Sequence, residues 1–152
     1  MQVMGHDQQP LWRQVAAHTL HASFLLKGKI EEILQDETGL LLADHEALLN
    51  LEHAEKPLRM SDIAQLLTLS AGGTTKVIDR LEKLGYVARS PDPADRRATM
   101  VEITRQGIEA HTRTTAIVDA ELEAAWAKHM TAEEAATIVA VMERVLGEHH
   151  QV

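Results

Sequence analysis

Apolar positions in the first part of the chain recur at helical spacing. Leu11, Val15, Ala22, Leu26, Ile30 and Ile33 return to one face, and Pro10 suits a first helical turn, so one long helix is predicted from about residue 10 to Gly39. Asp44 is placed to cap a second helix over "DHEALLNLEHA", which Pro57 forbids from continuing. Leu58 to Met60 reads as a short extended piece. Ser61 then caps "SDIAQLLTLS", with Ile63, Ala64 and Leu67 inward, and Ser70 caps "AGGTTKVIDRLEKLG", with Val77, Ile78, Leu81 and Leu84 inward and Gly85 as the closing residue. Two short helices across a tight turn, the second ended by glycine, make a helix-turn-helix pattern.

The period changes after Gly85. Tyr86 to Arg89 reads as a strand, "SPDPADRR" is turn chemistry, and Met100 to Ile103 alternate as the return strand, with Val101 and Ile103 facing inward. Thr104 caps a long helix in which Ile108, Thr112, Thr115, Val118, Leu122 and Ala125 or Trp126 share a face. "TAEE", Thr131 to Glu134, is a capping box that opens a last helix through Ala135, Ile138, Val139, Met142, Val145 and Leu146. No repeat, low-complexity tract or long linker interrupts this order. The expected fold is therefore one domain over residues 1–152, mainly α with a small β-hairpin wing. A winged helix-turn-helix lobe occupies 44–103, with flanking helices at 10–39 and 104–150.

Composition sharpens the picture. The 152 residues contain 3% aromatics, so the core must be aliphatic, and no cysteine, which excludes disulfides, thiolate zinc sites, a cysteine nucleophile and a thiol oxidation sensor. Cysteine-free chains suit a reducing cytoplasm, and "MQVMGHDQQPLW" carries no leader-like basic and apolar run, so a cytoplasmic protein with no membrane partner is expected. The net charge of −8 argues against nucleic acid until its distribution is considered. Residues 72–105 hold seven cationic and five acidic side chains, a local +2, which leaves −10 for the remainder. The long amphipathic helices at both ends leave aliphatic stripes of the kind that mark an interface.

The run from Met60 to Gly107 contains D-x-R-x-x-x-V-x-I-T, as Asp95, Arg97, Val101, Ile103 and Thr104, preceded at the expected distance by "VIDRLEKLGYV". In this frame it strongly resembles the core of the multiple antibiotic resistance regulator (MarR) family of bacterial transcription factors. The resemblance implies a homodimer whose first and last helices intertwine, with two winged lobes gripping a pseudo-palindromic double-stranded DNA operator. It also implies a transcription regulator, most often a repressor of its own or neighbouring genes that is released by a small molecule.

Chemistry can be assigned to residues on that basis. The second helix of the motif would enter the major groove by its leading end, where Ser70, Ala71, Gly72, Gly73, Thr74, Thr75 and Lys76 are small or polar. Thr74 or Thr75 would touch bases or phosphates, and Lys76 and Arg80 would reach phosphate oxygens. The paired glycines would weaken an ordinary helix by about 1 kcal/mol each, but their place in the first turn suits close approach to DNA. The family commonly has threonine where Gly73 stands, so one customary contact is missing. At the hairpin tip, stiffened by Pro91 and Pro93, the resemblance assigns Arg97 to the minor groove and Asp95 to an arginine partner that fixes the tip. Arg96 would then meet phosphate, with Arg89 a weaker candidate of the same kind.

Nine histidines raise a zinc-responsive alternative, because His18 and His21 stand at i, i+3. No cysteine or compact third ligand accompanies them, so no metal is assigned, and His149 and His150 lie at the terminus. The family's effector pocket, between dimerisation helices and DNA-binding lobe, would here draw on Trp12, His18, His21 and His45. None of G-x-S-x-G, H-E-x-x-H or G-x-x-x-x-G-K-[ST] occurs, so neither an enzyme nor a cofactor is expected. A winged-helix module that binds only protein is the remaining alternative class.

Overall fold

Residues 10–149 are described by the computed structural model. In chain order the elements are α1 (Leu11–Thr38), α2 (Leu42–Ala54), β1 (Leu58–Arg59), α3 (Met60–Leu66), α4 (Ala71–Lys83), β2 (Val87–Pro91), β3 (Thr99–Ile103), α5 (Arg105–Trp126) and α6 (Ala132–His149), with one 3-10 turn at Ala127–His129. They divide into two compact units, one up to Val118 and one from Asp119 onward, so α5 runs from the first into the second. The protein is mainly helical with a small antiparallel sheet, as its periodicity predicts. Among the described residues no helix is long and apolar enough to cross a membrane.

In the first unit the core gathers one face from each element of the lobe. Leu48 and Leu51 of α2, Ile63 of α3, Ile78 and Leu81 of α4 and Val101 of β3 are all buried together. The expected inward faces of α3 and α4 hold at Ile63, Leu67, Val77, Ile78 and Leu81, whereas Leu84, at the C-cap of α4, is exposed. Gly85 does close that helix, at φ +77°, a left-handed value open to glycine without a side-chain clash. Ser61 does not cap α3; it lies inside the helix, and Arg59 holds the N-cap position.

The hairpin gains a third strand. β1 pairs with β3 and β3 with β2, giving the order β1-β3-β2, with Leu58 opposite Val101 and Arg89 opposite Val101 on its other side. The short extended piece at Leu58 is thus an edge strand that ties the wing to the start of α3.

Two helix faces differ from expectation. On α1 only Ile30 and Leu34 are buried, while Leu11, Val15, Leu20, Phe24 and Leu25 point outward, Phe24 at 77% exposure. The apolar stripe locates the helix, but the side chains of its N-terminal half are exposed among the described residues. On α5 the buried positions are Gly107, Ala110, His111, Thr114 and Val118. Ile108 and Thr112, placed inward by spacing, are exposed because the helix turns its small residues toward the lobe instead. Thr104 caps α5 as expected: its Oγ1 accepts the Gly107 N–H at 3.1 Å and donates to the Gly85 carbonyl at 2.6 Å.

In the second unit the capping box forms. The Glu134 carboxylate accepts the Thr131 N–H at 2.8 Å, and Thr131 Oγ1 accepts the Glu134 N–H at 3.2 Å. The Thr131 backbone bond, then its hydroxyl, hold the Glu134 carboxyl below the ordinary range. Along α6, Ile138, Val139, Val145 and Leu146 are exposed.

Candidate nucleic-acid interface

The site is built from the leading end of α4 and the tip of the β2–β3 hairpin. Ser70 turns the chain into α4 from an extended conformation, and its Oγ accepts the Gly73 N–H at 3.1 Å, satisfying one of the free amides of the first turn. Ala71, Gly72, Thr75 and Lys76 are exposed beyond it. Gly72 has open space where a Cβ would stand, so this surface admits close approach, while a Cβ at Gly73 would meet Ser70 Oγ at 3.3 Å. Thr75 Oγ1 donates to the Ala71 carbonyl at 2.9 Å, and the residue remains exposed.

Thr74 is not part of this surface. It is fully buried and its hydroxyl donates to the Ser70 carbonyl at 3.0 Å, so of the two threonines only Thr75 can touch a ligand. Arg80 also departs from expectation. Its Nε lies 2.8 and 3.0 Å from the two Asp44 oxygens and its Nη2 2.7 Å from Oδ1, a bidentate fork onto a fully buried carboxylate. Asp44 in turn is not the N-cap of α2. It is the third helical residue, and its Oδ2 accepts the Leu41 N–H at 2.8 Å.

Arg89 is likewise engaged. Its two terminal nitrogens bind Asp79 and Glu82 of α4, each at 2.6 Å, lacing β2 to the exposed side of that helix. Partial burial opposes the charge, but the bonds to the two carboxylates outweigh it and raise the guanidinium above its usual value. Arg89, expected as a weaker phosphate candidate, thus links the wing to α4.

The wing tip is organised by aspartates acting on backbone. Asp92 Oδ1 accepts the Ala94 N–H at 2.8 Å, and Asp95 Oδ1 accepts the Arg97 N–H at 3.0 Å. Asp95 thus holds the tip through the main chain of Arg97, not through a guanidinium. A carboxylate at the tip does find a guanidinium, from a residue that sequence reading passed over: Arg59 of β1 pairs with the buried Asp92 at 2.5 Å. The Ala94 bond foremost, then Arg59, hold the Asp92 carboxyl below the ordinary range, against burial that would raise it. Nothing local in "PLRMSD" or "SPDPAD" signals this pairing, which depends on β1 joining the sheet.

Of the five arginines between residues 44 and 103, three are thereby committed to carboxylates, and the two at the tip, Arg96 and Arg97, are exposed and unpaired among the described residues. The same pairings occupy Asp79, Glu82 and Asp92, three of the five acids in the locally basic segment. At the leading end of α4 and the wing tip, Lys76, Arg96 and Arg97 are exposed cations.

The effector candidates do not converge. Trp12, His18 and His21 are exposed on the outward half of α1, and His18 lies about 18 Å along that helix from Ile30, its first buried residue. His45 is buried elsewhere, 2.8 Å from Thr114 Oγ1 and stacked on His111 with ring centroids 5.5 Å apart. Since the Thr114 hydroxyl donates to the His111 carbonyl, it accepts from the His45 ring. His111 Nδ1 bonds Glu52, and its Nε2 lies 3.0 Å from Thr115 Oγ1. This polar seam between α2 and α5 was not legible in the sequence. Among the described residues no three His, Asp or Glu side chains converge as a metal site, and His150 lies outside them.

The sequence profile of the MarR family matches residues 38–98. The multiple antibiotic resistance protein MarR of Escherichia coli is 31% identical over 85 residues, 56% of this chain and 59% of that protein. The chain thus matches little more than half the length of that relative. A MarR family transcriptional regulator from Streptomyces coelicolor, solved in complex with DNA, is 25% identical with a TM-score of 0.80, covering 100% of this chain and 92% of that one. A second from the same organism, AbsC, is 26% identical with a TM-score of 0.79 over 99% of both chains.

Proposed function

We propose that the chain is a transcriptional regulator of the MarR family that it matches over residues 38–98, acting as a homodimer that binds a pseudo-palindromic operator and represses its own or neighbouring genes until a small molecule releases it. In each copy α4 enters the major groove by Ala71, Gly72, Thr75 and Lys76, with the amides of its first turn near phosphate. The wing places Arg97 in the adjacent minor groove, where narrow A·T segments concentrate negative potential, and Arg96 on phosphate. The outward apolar faces of α1 and α6 are each covered by the second copy, which sets two reading heads about one helical turn apart.

The observation that carries this reading is the sorting of the arginines: those with internal work are paired, and those at the tip are not. The acidic remainder of the molecule repels a duplex generally, so a few placed cations decide where it binds. Enzymatic chemistry finds no support in this arrangement, since the exposed groups are cations and methyls suited to binding.

The test is duplex binding across salt. Each phosphate contact contributes a slope of about −0.9 in log affinity against log salt. A labelled duplex, selected by the purified protein from a random-sequence library, should bind saturably to a dimer, and Arg97→Ala should weaken that binding strongly. Binding undiminished in Arg97→Ala sinks the wing assignment, and a monomer indifferent to every duplex sinks the whole reading. Release by small molecules is checked by screening phenolic and other anionic compounds for loss of the bound fraction.

A further inference from the structure

The pairing of Asp44 with Arg80 joins the candidate reading helix to the interior of the lobe. A buried carboxylate is tolerated only when its charge is matched and its lone pairs are used. Asp44 meets both conditions, through the Arg80 fork and the Leu41 N–H. The neighbouring Leu42 N–H donates at 2.9 Å to Glu31 Oε2 on α1, so the start of α2 is itself held from a third helix. Arg80 is therefore anchored to a fixed point.

Geometry decides what such an anchor controls. Aliphatic packing between helices tolerates a small roll, but a planar two-bond fork fixes rotation as well as distance. Arg80 follows Lys76 by four residues, a difference of about 40° in azimuth on an α-helix. Fixing one therefore fixes the other. A roll of about 10° moves a group about 6 Å from the axis by about 1 Å, which is enough to break a hydrogen bond.

We propose that the Asp44–Arg80 fork is a positioning pair that sets the roll of α4 in the DNA groove, and that Arg80 makes no phosphate contact. This rests on the DNA-binding reading above. A phosphate contact needs only a cation, whereas a roll constraint needs the planar fork and its buried acceptor.

Asp44→Asn separates the two roles by the sign of its effect. If Arg80 positions α4, the variant binds the library-selected duplex about tenfold more weakly, with the wild-type salt slope retained. If Arg80 is a phosphate ligand held back by Asp44, the same change frees it, and binding is equal or tighter with a steeper slope; that outcome overturns the proposal. Arg80→Lys keeps the charge and loses the fork, so it should show the same weakening, and unchanged affinity in this variant also overturns it. Far-UV circular dichroism establishes that each variant is folded. Should the single changes unfold the lobe, the paired replacement Asp44→Leu with Arg80→Met leaves no orphaned charge; weakened binding at unchanged slope supports the proposal, and unchanged binding or a flattened slope ends it. No saturable binding by the wild-type protein defeats the DNA reading itself, whereas wild-type binding matched by Arg80→Lys defeats only the positioning role.

Discussion

Replacing Gly107 with alanine should destabilise the lobe, although alanine is the better helix former. Gly107 lies in the first turn of α5, where the helix start presses against the end of α4. A Cβ there would stand 2.0 Å from the Tyr86 carbonyl oxygen and 2.7 Å from Ile103 Cγ1, well inside contact distance. Relieving the overlap means moving backbone, because the Tyr86 oxygen already accepts the Thr104 N–H at 3.0 Å and Thr104 Oγ1 is bound to Gly85 at 2.6 Å. Overpacking costs about 1–3 kcal/mol, and weakening a buried hydrogen bond adds about 1 kcal/mol. The gain in helix propensity is at most about 1 kcal/mol, so the clash wins by about 2 kcal/mol. At about 2–4 °C per kcal/mol for a chain of this size, Tm should fall by roughly 4–8 °C. Thermal unfolding followed by circular dichroism measures this, at one fixed protein concentration because the Tm of the proposed dimer would depend on it. Gly72→Ala is the internal control: with open space at its Cβ it should hold Tm or raise it by a few degrees, as propensity alone dictates. A Gly107→Ala protein that melts at or above the wild-type temperature would refute the argument.

Two further changes probe the caps and charges around the reading surface. Ser70→Ala removes the acceptor of the Gly73 N–H, so the protein should lose about 1 kcal/mol, read as a drop of a few degrees in Tm. The Asp92 carboxyl titrates below its ordinary 3.8 in the folded protein, so its stabilisation is present above that value and is lost as pH falls through the depressed one. The Tm gap between wild type and Asp92→Asn should accordingly stay constant from about pH 7 to pH 5 and narrow in more acid solution; a gap that widens there contradicts the pairing with Arg59.

Much of this architecture was readable along the chain, and the readable parts share a property: their signals act within a few residues. Ser70, Thr104 and the Thr131–Glu134 box cap helices where their spacing says they should, Gly85 ends α4, and the period changes from helix to strand at Tyr86. The tip arginines could likewise be singled out, from two prolines and an aspartate around them. What the sequence could not show were remote partners. Asp44 looked like a cap but is the third residue of α2, bonded to Arg80 36 residues away. His45, expected beside an effector, is hydrogen-bonded to Thr114, 69 residues away.

Caps, turns and periodicity follow from steric and hydrogen-bonding constraints between near neighbours, and these the chain determines wherever it is placed. Which arginines stay available is a different kind of fact. A guanidinium carries the same charge whether it is spent on a carboxylate or offered to solvent, and only the packing of α2, α4 and the three strands decides between them. Tertiary structure committed Arg59, Arg80 and Arg89 to the protein and left Arg96 and Arg97 facing out.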